Sequence, residues 1–135
     1  MKARPFPLSP AALLATLVLL ASGCGDDVSS GKDWQVTNAA DNFQFQVTAM
    51  ENYSKHLEYV WTNTGTTASV NQACAITGGN ATLTIKDAVG VTVYARTLKD
   101  NGTYATATGT SGSWLVVVEL SKTDGTLNFR VQKSP

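Results

Sequence analysis

The sequence predicts an all-β domain, an antiparallel β-sandwich, preceded by an N-terminal leader and a flexible tether. Three observations predict it. Beyond the leader, apolar residues recur at every second position, which is the period of a half-buried strand. Turn signals separate these runs, and no ten-residue stretch after Ala21 has a helical period. The composition is rich in Thr, Gly, Ala, Asn and Val, which favours short strands joined by tight turns.

The alternating runs follow one another along the chain, at 43–47, 57–61, 68–76, 83–85, 91–96, 114–120 and 127–131. They are spaced about ten to twelve residues apart, which favours an Ig-like or jelly-roll sandwich of about seven to nine strands over a barrel. In the run at 114–120, the residues between the alternating apolar positions include Leu115 and Val117, which are apolar too. We therefore expect that strand to be covered on both faces.

Short polar and glycine-containing segments between the runs are typical of turns. They lie at 63–65, 78–80, 87–90, 100–102, 109–112 and 124–125. The segment from Asp87 to Gly90 stands between two β-rich runs and predicts a hairpin.

The N-terminus has the pattern of an export signal. Residues 1–10 carry Lys2 and Arg4 and no acid, and residues 11–21 contain Thr16 as their one polar residue. A charged segment followed by a short apolar one is typical of a signal peptide. Eleven helical residues rise about 16 Å against a hydrocarbon core of roughly 30 Å, so a membrane-spanning helix is not expected.

The segment Ala21-Ser22-Gly23-Cys24 follows directly and resembles the lipobox of bacterial lipoprotein precursors. The resemblance implies that signal peptidase II cuts before Cys24, that its sulfur receives diacylglycerol and that its new amine is acylated. Ala21 departs from the leucine that is commonest at its position. The alternatives are an ordinary signal peptide with a spare cysteine and an uncleaved anchor. In such lipoproteins an aspartate after the cysteine often retains the protein in the inner membrane, so Gly25 favours the outer membrane.

These patterns divide the chain into a signal peptide at 1–23, a lipidated cysteine and flexible tether at 24–33, and a β-sandwich domain at 34–135. Residues 25–33 are polar and contain glycine and serine, which predicts a flexible segment with an r.m.s. reach of about 15 to 18 Å. We expect one domain, held in the bacterial cell envelope by lipid on Cys24.

Composition and single residues argue against several function classes. Ten Lys and Arg residues balance ten Asp and Glu residues, whereas nucleic-acid binding needs a basic surface. His56 is the only histidine of the chain and is expected to face solvent as an inert side chain. Cys74 is in phase with its apolar neighbours and is expected to be buried, an intermolecular disulfide being the alternative. The sequence therefore predicts no catalytic residues and no cofactor.

Several oxygen-bearing side chains fall in predicted turns, where ligands of a calcium ion would lie. Turn chemistry by itself explains such residues, so no metal site is expected. The residues concerned are Asp87, Asp100, Asn101 and Asp124.

The aromatic residues are the better indication of a binding site. Trp61 and Trp114 are in phase with aliphatic neighbours and are expected in the core. Trp34 and Tyr53 lie outside clean strand phase, so we expect them to be exposed and name them as the candidate ligand-binding residues.

The function predicted is that of a non-enzymatic, lipid-anchored envelope protein, which offers its surface or a sheet edge to another protein or has a structural role. The alternative is a module that binds carbohydrate or cell wall through exposed aromatics. The C-terminal half, with Gly112-Ser-Trp114 entering a strand and Phe129-Arg-Val131 closing the sheet, is similar to secreted Ig-like and pre-peptidase-type β-domains. That likeness is architectural and implies no functional residue.

Overall fold

The computed structural model of the protein describes residues 33–135, and Asp33–Pro135 forms a compact unit. The predictions about the signal peptide, the lipidation of Cys24 and most of the tether fall outside the described residues. Within them the fold is all-β and antiparallel, as predicted. The seven strands are β1 (Asp33–Ala39), β2 (Asn42–Asn63), β3 (Ala68–Gln72), β4 (Ala75–Lys86), β5 (Thr92–Thr97), β6 (Gly102–Ala105) and β7 (Gly112–Lys133).

Strands β2 and β7 are each 22 residues long and pair with each other from end to end. The register of this ladder shifts three times between Val47 and Lys55. At that point the backbone takes positive φ at Ala49 and Asn52 in β2 and at Lys122 in β7. Such bulges bend a strand without ending its pairing. Both strands therefore bend here and double back on themselves.

Side chains replace the ladder bonds that the bulges remove. The Asn52 backbone N–H donates to Asp124 Oδ1 at 2.8 Å, and the Lys122 N–H donates to Ser54 Oγ at 2.9 Å. The buried Thr123 hydroxyl donates to the Asn80 carbonyl at 2.6 Å. We call this part of the molecule, residues 49–54 and 121–126, the bend end.

Two kinds of sequence prediction are corrected here, the division into strands and the position of two turns. The runs at 43–47 and 57–61 are two halves of β2, and the runs at 114–120 and 127–131 are two halves of β7. The predicted turns at 78–80 and 124–125 lie inside β4 and β7. Gly79 and Gly125 have φ of 71° and 118°, and a Cβ would come within 1.9 Å of the Lys122 oxygen and 2.1 Å of the Ala75 oxygen, respectively. Glycine is needed at these positions because the backbone of a neighbouring strand approaches closely. The chain does not reverse there.

Because β2 and β7 double back, they belong to both layers of the sandwich. The first layer has the order β1-β2-β7-β3-β6, and the second has the order β2-β7-β4-β5. The two ends of β2 meet opposite the bend, where the Asp41 N–H donates to the Thr62 carbonyl at 2.8 Å. The turns and loops at 63–67, 87–91 and 107–112 gather there, and we call this the loop end.

The core lies between the layers and is built from the alternating positions. Trp61 and Trp114 are fully buried, as predicted, with ring centroids 6.0 Å apart in an edge-to-face arrangement. Phe45 and Phe129 stack at 5.2 Å. Val117 is 8% exposed on the opposite face of β7 and Leu115 is half-buried, so that strand is largely covered on both faces as expected. Burial of each large apolar side chain contributes about 1.5–3 kcal/mol, so these four aromatics stabilise the fold together with the aliphatic residues around them.

The predicted hairpin at Asp87 is confirmed between β4 and β5. Asp87 Oδ1 accepts the backbone N–H groups of Val89 at 3.1 Å and Val91 at 2.9 Å, and Oδ2 accepts that of Thr110 at 2.8 Å. The Thr110 bond, followed by those within the turn, lowers the pKa of Asp87 below its ordinary value. One carboxylate thus holds the hairpin turn against the loop that precedes β7.

Candidate functional site

The two residues predicted to bind ligand lie side by side. Trp34 pairs with Val47 in the β1–β2 ladder, and its ring centroid is 5.9 Å from that of Tyr53 and 5.7 Å from that of Phe45. Both Trp34 and Tyr53 are half-buried and packed against the core. The expectation that they are exposed outside strand phase is therefore wrong. Trp34 lies opposite Val47, a core residue, so β1 places it on the inner face of the first layer.

The geometry of this pair limits what it can bind. The two rings meet edge to face, with an interplanar angle of 64°, so they do not form one flat platform. The indole Nε1 of Trp34 is buried and has no hydrogen-bond partner among residues 33–135. An unpaired buried donor costs about 1–3 kcal/mol. The pair is thus an aromatic rim beside the bend end, and its Trp34 donor has no partner in the described part of the chain.

A polar surface covers the outer face of the first layer, and sequence reasoning missed it. Gln35 pairs with Gln46, which pairs with Asn128, while Thr37 pairs with Gln44, which pairs with Arg130. All six side chains point away from the core because they alternate with its residues. We call these six residues the amide face; they are Gln35, Thr37, Gln44, Gln46, Asn128 and Arg130. The signal was present as the polar partners of the apolar runs at 43–47 and 127–131.

The amide face contains a shallow depression of about 70 Å³, lined by five polar residues and Phe45. With the Gln44 amide oriented so that its oxygen faces Arg130, the guanidinium donates to it at 2.7 and 2.8 Å. Arg130 is the one formally charged residue among the six. Amides, hydroxyls and a guanidinium can donate to and accept from hydroxyl groups or peptide groups. They supply neither a nucleophile with its base nor a set of metal ligands.

His56 is exposed, as predicted, on the outer face of the second layer. Its Nε2 lies 2.7 Å from Glu58 Oε2, and its Nδ1 hydrogen-bonds Glu119 Oε2. The Glu58 bond first, and then the Glu119 bond, raise the pKa of His56 above its ordinary value. The two carboxylates face different ring nitrogens and do not converge on one point. In the described part of the chain no group of three His, Cys, Asp or Glu residues could hold a metal ion.

Three of the four oxygen-bearing turn residues hydrogen-bond backbone groups through their side chains. The Asn101 side chain accepts the Cys74 N–H at 2.7 Å and donates to the Cys74 carbonyl at 2.9 Å. Asp87 and Asp124 accept backbone N–H groups at opposite ends of the molecule. Turn and bulge chemistry therefore accounts for these side chains.

Cys74 is buried, as expected, with 8% of its surface exposed. It lies between β3 and β4 and not inside a strand, which corrects the phase assigned to it. The Asn128 N–H lies 3.3 Å from Cys74 Sγ, and burial raises the pKa of the thiol above its ordinary value. A protonated, enclosed thiol is a poor nucleophile.

Comparison with known proteins adds little. No family model and no curated protein matches this chain. Among solved structures, the chain is similar to a chain in the structure of infectious bursal disease virus Gt strain, with 16% identity and a TM-score of 0.29. That match covers 94% of this chain and 38% of the viral one, and a likeness this weak carries no argument. Within residues 33–135 no helix is long and apolar enough to cross a membrane.

Proposed function

We propose that this protein is a lipid-anchored, non-enzymatic component of the bacterial cell envelope, which presents a small β-sandwich for contact with another protein or for a structural role. The observation that carries the proposal is the segment Ala21-Ser22-Gly23-Cys24 placed directly behind the apolar part of the leader. Two or three acyl chains on Cys24 hold a protein stably on a bilayer, whereas one chain binds marginally. Gly25 favours the outer membrane.

The position of β1 suggests where the tether would join the domain. Asp33, the first described residue, pairs with Thr48 beside the bend end. A tether at 25–33 would then join the domain at the bend end. Val89 and Val91, which are 67% and 56% exposed at the β4–β5 turn, would lie far from the anchor.

The anchoring test compares two cysteine variants of the full chain in a bacterial host. Cys24→Ala should abolish incorporation of a labelled fatty acid and move the protein out of the membrane fraction. Cys74→Ala is the matched control and should leave labelling and fractionation unchanged, because that thiol is buried. Equal labelling of the wild type and Cys24→Ala would refute lipid anchoring.

The alternative is a module that binds glycan or cell wall. It is favoured by one observation, the aromatic rim of Trp34 and Tyr53, which lies on the face of the sheet opposite to the amide face. An aromatic ring can stack on the apolar face of a neutral sugar ring, which is the contact that such a rim would supply.

Co-sedimentation of the protein with peptidoglycan and insoluble glycans tests this alternative. Trp34→Ala/Tyr53→Ala should abolish saturable binding at the aromatic rim, whereas Gln35→Ala/Gln46→Ala, on the opposite face of the sheet, should leave it unchanged. Val89→Ala at the loop end is the control and should bind as the wild type does. Absence of binding by the folded wild-type protein would leave the contact role in place.

A further inference from the structure

Within residues 33–135, the free edge of β1 differs from the edges at β5 and β6. All seven residues of β1 pair with β2 without a register shift, and β1 has no neighbour on its other side in the part of the chain that the structure describes. From Trp34 to Ala39 it contains no charged residue and no proline. Natural proteins protect sheet edges with short strands, charges, prolines or bulges, and an unprotected edge invites pairing with another strand.

The edges at β5 and β6 carry the protection that β1 lacks. Strand β6 has four residues and begins at Gly102, whose φ is 144°. Strand β5 carries Arg96, whose guanidinium lies 3.7 Å from the Tyr104 ring centroid, and its Val93 carbonyl already accepts the Ala107 N–H at 2.9 Å. These edges are short, charged or covered, so they offer a second chain little to pair with.

Exposed apolar side chains flank the β1 edge. Val36 is 40% exposed on β1, and Val60 is 64% exposed on the part of β2 that forms the neighbouring edge of the second layer. The Asn38 side chain donates to the Val60 carbonyl at 2.8 Å, so both valines lie on the same side of the sandwich. Pairing at this edge would remove apolar surface from water as well as satisfying backbone groups.

We propose that β1 pairs with β1 of a second copy of this chain, antiparallel and across a two-fold axis at Val36. In this register Val36 faces the partner's Val36, and Gln35 faces the partner's Thr37. No like charges meet, because residues 34–39 are uncharged and Asp33 lies opposite residue 39 of the second copy. Each copy offers the same surface to the other, as a two-fold contact requires. The two first layers join into one continuous sheet.

The proposed pairing is compatible with two anchors in one membrane. The two Asp33 residues stand about 20 Å apart along the paired strands. Tethers with an r.m.s. reach of about 15 to 18 Å let both copies reach one bilayer when β1 lies parallel to its surface. A seven-residue edge is a small contact, and confinement to one membrane raises the effective concentration of the copies. The inference rests on the contact role proposed above and is independent of lipidation.

Disulfide trapping in the full chain tests the register. Across an antiparallel pair, opposite Cα atoms are about 4.5–5.5 Å apart, which is within the range that a disulfide spans. Val36→Cys should therefore give a disulfide-linked dimer on mild oxidation. Val89→Cys is the matched control, since Val89 is more exposed but lies at the loop end. The wild type reports any dimer formed through Cys24 or Cys74.

Sedimentation of residues 32–135 tests the contact without lipid, after circular dichroism has verified the fold. The wild type should show a concentration-dependent dimer, and Val36→Lys should shift its dissociation constant at least about tenfold, because two ammonium groups then face each other at the axis. Val89→Lys should dimerise as the wild type does. A wild type that stays monomeric, together with Val36→Cys giving no more dimer than Val89→Cys, overturns the proposal. Cell fractionation of Cys24→Ala tests lipid anchoring independently of dimer formation.

Discussion

The two sides of the sandwich are closed by different means. On the side of β3 and β5, the Tyr94 hydroxyl donates to Gln72 Oε1 at 2.7 Å, and Gln72 Nε2 donates to the carbonyls of Thr97 at 3.1 Å and Asp100 at 2.7 Å. On the side of β1, the Asn38 bond to Val60 and a 2.9 Å bond from Trp61 Nε1 to the Ala39 carbonyl connect the layers. The first side is joined by a buried network, and the second keeps its strand edge free.

The difference separates stability from contact. Gln72 is 2% exposed and Tyr94 is 7% exposed, and burial raises the pKa of Tyr94 to about 12. Their polar atoms are satisfied by each other and by backbone carbonyls, so this side has little left to offer a partner. The β1 side is therefore the side on which a second chain can bind without unfolding anything. The substitutions below remove individual hydrogen bonds from each side.

Gln72→Ala should have the largest effect, lowering the free energy of unfolding by about 3 kcal/mol, because it leaves the Tyr94 hydroxyl and two carbonyls without their partner. Urea unfolding followed by tryptophan fluorescence measures it. The matched control is Gln46→Ala on the amide face, which should change stability by less than about 0.5 kcal/mol. Equal effects of the two substitutions would contradict the contrast between the sides.

Trp61→Phe should cost about 1–2 kcal/mol of unfolding free energy, since it removes the donor to Ala39 and part of the buried ring while keeping the aromatic packing. The same unfolding experiment measures it. Hydrogen exchange of the backbone amides measures the local effect. We expect the amides of β1 to exchange faster in the variant than in the wild type, and those of β3 to exchange at the same rate. Unchanged exchange in β1 would show that the Trp61 bond does not hold this side.

Asp41 at the β1–β2 turn should make the fold sensitive to acid. The Thr64 N–H donates to Asp41 Oδ1 at 2.8 Å, and this bond lowers the pKa of the carboxyl. A lowered folded-state pKa contributes stability that is present above the unfolded value near 3.9 and is lost as the pH falls through the folded value. Asp41→Asn should therefore lose stability at neutral pH and flatten the acid limb of a Tm-against-pH curve. If the Tm of Asp41→Asn fell with acid as steeply as that of the wild type, Asp41 would not be the source of the acid sensitivity.

His56 should give the smallest effect, with the opposite sign. Its folded-state pKa is raised by Glu58 and Glu119. Its contribution is present below the unfolded value near 6.5 and is lost as the pH rises through the folded value. Thermal unfolding of His56→Gln should match the wild type at alkaline pH and fall slightly below it in mild acid. Because the side chain is half-exposed, salt should remove the difference.

The sequence indicated more of the strands than of their connections. Alternation at 43–47, 83–85 and 127–131 predicted strands that the structure contains, and Asp87 predicted a hairpin correctly. Gly79 and Gly125 were interpreted as turns, because glycine at a positive φ serves a bulge and a turn equally well in a local pattern. Trp34 was expected to be exposed because nothing local shows that it pairs with Val47.

The amino-acid sequence by itself determined the all-β class, the inward and outward faces of most strands and the burial of Trp61 and Trp114, since these depend on period and polarity alone. The tertiary structure alone decided where β2 and β7 bend, that Gln72 joins the layers, and that β1 has a free edge within residues 33–135. Those features depend on residues far apart in the chain, as when Gln72 meets Thr97. A local pattern carries no information about which distant strand a residue will face.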